Sequence, residues 1–137
     1  SYTIALAQCT SLPDIYQNLV TAEKFIAEGE KGASLIVFPE YFMYPCTGDT
    51  ASYTAHAQPV DGPFVLCMKE LAVKYNIWLL FGMNENPLMC MKKMHNTLVI
   101  LDSGGIIRGT YQKTHLFDAF DWQESGHTLA GNSLFYQ

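Results

Sequence analysis

The sequence predicts an α/β layered fold with a mixed sheet. Three observations carry this. The short apolar runs TIALAQC, SLIVF and IWLLFGM recur along residues 3–83 and suit strands covered on both faces. The stretches between them repeat apolar residues at helical spacing. Two later apolar runs flank Asp102-Ser103-Gly104-Gly105, a hairpin turn signal.

Each element follows in order. Residues 3–9 form a short apolar strand. Ser11-Leu12-Pro13-Asp14 is a helix-start signal, with a capping serine and an acidic first turn. Ile15, Leu19, Ala22 and Ile26 then recur at helical spacing, so the helix runs to about residue 30 and Gly32 ends it. Residues 35–38 are the second strand. Asp61-Gly62-Pro63 opens a second helix, with proline suited to the first turn. Its expected buried stripe is Phe64, Cys67, Leu71 and Tyr75, and Asn76 is its left-handed stop. Residues 77–83 make the third strand, and 97–101 with 106–111 make the hairpin.

Bulk properties narrow the function. A chain of 137 residues, 49% hydrophobic and 15% charged, suits one core-forming domain. A chain of this length buries roughly two-thirds of the surface its unfolded form exposes. The net charge is -5 and no Lys/Arg cluster is present, which argues against nucleic acid or an anionic membrane as partner. No apolar run reaches the length of a bilayer span. The start, SYTIALAQ, lacks a basic leader pattern and reads as the first strand of a mature cytoplasmic protein. The four cysteines and four histidines show no CxxC, HExxH or HxH spacing, so no metal site is expected.

Functional groups in such folds gather at strand ends. The run ASLIVFPEYF ends a buried strand at Pro39 and follows it with Glu40. A carboxylate there is costly to desolvate. Either it swings out to solvent or a pocket holds it for a purpose. Two more strand-end segments carry polar groups: residues 111–118, with Lys113, and residues 122–125, with Glu124. Two carboxylates and a lysine make weak evidence for stability and better evidence for a site.

GASLIVFPEYF at 32–42, HNTLVILDSGGIIRGTYQKTHLFD at 95–118 and QES at 123–125 resemble the carbon–nitrogen hydrolase, or nitrilase, superfamily. The resemblance implies an α-β-β-α four-layer sandwich, of which residues 1–137 supply only the amino-terminal half. It implies a Glu-Lys-Cys triad that hydrolyses non-peptide amides, nitriles or carbamoyl groups without a cofactor. By that pattern Glu40 is the general base and Lys113 stabilises the oxyanion. Glu124 resembles the second glutamate, which orients the lysine and the substrate amine.

The nucleophilic cysteine of that pattern, followed closely by Asp, Arg and Phe-Pro-Glu, does not occur in this sequence. The single domain is therefore expected to be cut before the nucleophile-bearing strand, and the chain alone to lack the full reaction. Cys46 follows Glu40 closely, but its Tyr44-Pro45-Cys46-Thr47-Gly48 context reads as a loop at the pocket mouth with nothing to depress a thiol pKa. Cys9, Cys67 and Cys90 read as small hydrophobes. His115 reads as a loop-packing residue, Asp118 as a loop cap, and Tyr41 and Phe42 as pocket wall or dimer-facing core.

Two function classes stay open. One is half of a thiol amidohydrolase; the other is a complete, non-catalytic half-domain or interaction module. THLFD followed by QES resembles the amidase branch, which acts on small carboxamides, ω-amides included, more than true nitrilases. A small-molecule amide and a homodimer or higher homo-oligomer are the expected partners.

Overall fold

The computed structural model describes residues 1–47, 49–88, 92–132 and 134–136; Cys90 lies outside them. The order is β1 (Ile4–Leu6), α1 (Ile15–Gly29), β2 (Leu35–Val37), α2 (Thr50–Ala55), α3 (Pro63–Tyr75), β3 (Trp78–Glu85), β4 (His95–Leu101), β5 (Ile107–Gln112), β6 (Asp118–Ala119), β7 (Trp122–Gln123) and β8 (Leu134–Tyr136). Among the described residues the main sheet runs β1-β2-β3-β4-β5-β8, and β6 with β7 forms a small ribbon. β1, β2 and β3 pair in parallel; β3, β4, β5 and β8 pair antiparallel. The expected α/β class with a mixed sheet is what the chain adopts. Residues 1–137 supply one helix layer and one sheet of it.

Local chemistry explains most boundaries. Asp14, not Ser11, caps α1: its carboxylate accepts the Gln17 N–H at 3.1 Å. No acidic residue lies in the first turn. The helix closes at Gly29, ahead of Gly32. Pro63 opens α3 and Asn76 stops it in the left-handed region, at φ 49°. The stripe of α3 is rotated from the expected one. Phe64, Val65, Met68 and Ala72 are buried, while Cys67, Leu71 and Tyr75 are half-buried. The reason is that α3 packs on two neighbours, the sheet and α1. In the hairpin turn the Asp102 carboxylate accepts the N–H groups of Gly104 and Ile106 and the Arg108 guanidinium, which depresses its pKa through the Ile106 N–H above all.

The core lies between the helices and one face of the sheet. Ala22 and Ile26 of α1 and Phe64, Met68 and Ala72 of α3 meet Ile36, Leu79, Phe81, Val99 and Leu101. The opposite face is apolar as well. Register aligns Leu6, Val37, Leu80 and Ile100 in one row and Ile4, Leu35 and Trp78 in another. These side chains are exposed or half-buried; Leu6 is 76% and Ile4 56% exposed. Apolar stretches of this kind, bordered by the open edge of β1, invite association.

Residues 1–137 prepared alone are therefore expected to self-associate. Size-exclusion chromatography with light scattering checks this. A monomer with a cooperative melt would mean that the outer face tolerates water.

Candidate active site

The chain brings three loops to one end of the sheet. Past β2, Phe38 still donates its N–H to Leu80 O at 2.8 Å. Residues 39–41 then press against β3 at Gly82. A Cβ at Gly82 would stand 2.6 Å from Tyr41 N and 2.9 Å from Pro39 O. Only glycine leaves room for Glu40 to reach its position. Lys113 follows β5, and its N–H is tied to Asn96 O on β4 at 2.8 Å. Its carbonyl accepts the Gly131 N–H at 2.9 Å, and Gly131 lies too close to Gln112 for a side chain. Glu124 opens a 3-10 turn, Glu124–Gly126, behind the β6–β7 ribbon. Asp118 caps that loop by accepting the Ser125 N–H at 2.9 Å.

These supports converge on one ammonium. Lys113 Nζ lies 3.2 Å from Glu40 Oε1 and 3.0 Å from Glu124 Oε2. The two carboxylates differ in burial and in how many donors they accept. The Glu124 side chain is 4% exposed and that of Glu40 is 59% exposed. Glu124 Oε1 accepts from Tyr41 Oη at 2.9 Å and from Asn96 Nδ2 at 3.4 Å. Its Oε2 accepts from Lys113 and, at 2.7 Å, from the Phe117 N–H. A carboxylate offers about four acceptor positions, and here each is taken. Glu40 Oε1 accepts from Lys113 and, at 2.6 Å, from Asn96 Nδ2. Its Oε2 has no hydrogen-bond partner among the described residues.

Protonation follows from these contacts. Burial pushes the Glu124 carboxyl up, but the Phe117 N–H, Lys113, Tyr41 and Asn96 together outweigh burial and hold it below the ordinary carboxylate range. Burial alone would lower the lysine; Glu124 and Glu40 reverse that and keep Lys113 charged above its usual pKa. Burial raises the Tyr41 hydroxyl far above its ordinary value, so it serves as a donor. Tyr41 makes that contact from a left-handed backbone, φ 51°.

The three charged groups border a cleft of about 570 Å³, shared with Tyr41, Cys46, Phe117 and Trp122. The Cys46 thiol is pushed up to about 12 by burial, with the nearby Glu124 and Glu40 charges adding to it. Tyr41 is pocket wall and Phe42 is fully buried core. His115 is exposed and bonded to the Thr114 hydroxyl at 3.0 Å, not packed into its loop; the tight Tyr111–Thr114 turn holds it outward. Among the described residues no group of three or more His, Cys, Asp or Glu is placed to hold a metal ion. Asn96 and Gly82 went unread in the sequence, as did the hydrogen bond that Tyr41 donates to Glu124. The HNTL run in an alternating strand was the one available hint: a buried Asn needs partners.

The sequence profile of the carbon-nitrogen hydrolase family matches residues 3–131. The chain belongs to the carbon-nitrogen hydrolase family. Human deaminated glutathione amidase is 33% identical over 140 residues, an alignment that covers 96% of this chain and 42% of that protein. Citrullinase of Francisella tularensis is 30% identical over 136 residues, covering 96% of this chain and 46% of that protein. The crystal structure of the NitFhit protein of C. elegans superposes with a TM-score of 0.82 at 32% identity, covering 96% of this chain and 33% of that one. The carbon-nitrogen hydrolase chain described here thus spans less than half the length of these relatives.

Two outcomes are expected from this packing. Gly82→Ala must shift residues 39–41 or β3, and is expected to cost about 1–3 kcal/mol in urea unfolding, as overpacking does. Gly32→Ala, which meets nothing within 4 Å, is the control and should stay near the parent. Equal stability of both variants would show that the Glu40 segment moves off β3 without cost. The second concerns acid. The folded pKa of Glu124 is depressed, so its stabilisation is fully present above the unfolded carboxyl value, about 4.3, and is lost as pH falls below it. Melting curves from pH 6 downward should show a shallower acid loss in Glu124→Gln than in the parent; parallel curves would contradict the assignment.

Proposed function

We propose that this chain carries the proton-transfer and oxyanion-stabilising part of a site that hydrolyses a non-peptide carbon–nitrogen bond, a small carboxamide or ω-amide in particular, with a cysteine thiol outside residues 1–137 as nucleophile. The observation that carries it is Lys113 held between an acceptor-saturated, buried Glu124 and an exposed Glu40 with one oxygen open. Family membership and the amidase names of the relatives support the reaction class.

In this reading Glu40 Oε2 takes the thiol proton as the sulfur attacks the amide carbon. The carbonyl oxygen becomes negative beside the Lys113 ammonium, where a fixed charge in a partly dry cleft counts for most. Collapse of the adduct breaks the carbon–nitrogen bond, and the proton on Glu40 leaves with the amine. The acyl group remains on sulfur. Glu40 then takes a proton from water, whose oxygen attacks the thioester, and returns it to the departing thiolate. Glu124, with no acceptor position to spare, holds Lys113 in place. Cys46 stays outside the reaction because its thiol is held protonated. The same reading takes a small-molecule amide as partner, a homodimer or higher homo-oligomer as assembly and the cytoplasm as setting.

The test is ammonia release by the complete gene product from a panel of small amides, N-carbamoyl amino acids and nitriles. Amides should be turned over fastest. Glu40→Gln and Lys113→Ala should each lower kcat by about 10²–10⁴-fold, Glu40→Gln with an unchanged melting curve and Lys113→Ala with a lower melting temperature, since it leaves buried Glu124 without its cation. Full activity in Glu40→Gln would end the general-base assignment. Turnover abolished by Cys46→Ala would move the nucleophile into this chain.

A further inference from the structure

The reaction proposed above needs its two carboxylates to do different work beside one ammonium. Electrostatics alone does not separate them, since Lys113 stands 3.2 Å from one and 3.0 Å from the other. A second group also touches both. Asn96 Nδ2 donates to Glu40 Oε1 at 2.6 Å and to Glu124 Oε1 at 3.4 Å. Asn96 is 5% exposed and sits at the start of β4, where its own carbonyl receives the Lys113 N–H. Its side-chain orientation is fixed by chemistry: ionised carboxylates only accept, so the amide must present its NH₂ to them.

We propose that Asn96 is a positioning residue that assigns the carboxylates their roles, anchoring Glu40 through Oε1 so that Oε2 is the oxygen that moves protons. The inference rests on the general-base reading of Glu40. Three features support it. The shorter bond goes to Glu40, the more exposed carboxylate and the one without a backbone N–H donor at its oxygens. Both donors to Glu40 use the same oxygen, which leaves Oε2 unengaged. A carboxamide is also neutral, so it bridges two anions without cancelling the charge the base needs. A second lysine there would cancel it, and an aspartate would add a third anion.

Without the amide, Glu40 keeps one tether, Lys113, and can pivot with it or turn to solvent. Misplacement of a reacting group by about 1 Å can cost on the order of 10²-fold in rate. Substrate binding does not run through this bond, so the loss should fall on kcat and leave KM within about threefold.

The test uses the complete gene product and the small amide it turns over fastest. Asn96→Ala and Asn96→Asp are compared with the parent for kcat, KM and melting temperature. The expected result is a kcat loss of about 10²-fold in Asn96→Ala and a larger one in Asn96→Asp, although aspartate matches asparagine in shape. A residue that merely fills space would show the reverse order. On a Glu40→Gln background, Asn96→Ala should add little further loss, because both changes act on one unit. Should Asn96→Ala not fold, Asn96→Ser replaces it, since the shorter hydroxyl cannot span both carboxylates. Full kcat in the Asn96 variants beside an impaired Glu40→Gln would overturn this inference alone, as would losses that multiply in the double variant. Full activity in Glu40→Gln itself would remove this inference together with the reading it rests on.

Discussion

One ammonium between two carboxylates governs the geometry of this end of the sheet. At about 4 Å and an effective dielectric near 20, each attraction is worth about 4 kcal/mol before desolvation, and the repulsion between the carboxylates is of similar size if they come as close. Two attractions against one repulsion favour the cluster, but only while the lysine stays in place. Burial of Glu124 at 4% exposure raises the stakes, because an unpaired charge there would be costly. The loops after β2, β5 and β7 can therefore not drift separately. The Phe117 N–H, the Tyr41 hydroxyl and the Asn96 amide complete what a single cation leaves unsatisfied.

Much of this was legible in the sequence, and what was missed has physical reasons. Strands and main helices announce themselves through apolar periodicity, which depends only on neighbours along the chain. Glu40 and Lys113 stood out as charges just past apolar strands and Glu124 as a charge in the loop that follows, with the family resemblance giving them their roles, and the structure brings all three together. Asn96 did not stand out: its meaning comes from partners 56 and 28 positions away. Gly82 lay inside a strand run as an ordinary small residue, and only the crossing of residues 39–41 over it shows why nothing larger fits. The rotated stripe of α3 has the same origin. Its register answers to α1 and the sheet together, and a single periodicity cannot encode two partners. The tiny ribbon β6–β7 and the short β8 carry too few residues to leave a pattern.

The cleft also shows why proximity does not make a thiol reactive. Cys46 shares the wall with Glu40 and Lys113. A thiolate there would face two carboxylates with the lysine already engaged by both, in partly dry surroundings. Reactive cysteines need the opposite field, from cations or helix N-termini. Glu40 could serve as base for a thiol only where the resulting anion met net positive potential, and the position of Cys46 does not supply it.

Tyr41 shows what this order does to the backbone that carries it. A bulky residue in the left-handed region, here at φ 51°, is strained by about 1–3 kcal/mol, and glycine or asparagine would sit there more comfortably. Either would also remove the hydroxyl that Glu124 accepts. Local comfort and order among the charges thus pull in opposite directions at one residue. Engineering for thermal tolerance alone would find position 41 an easy gain and would loosen the buried carboxylate in taking it.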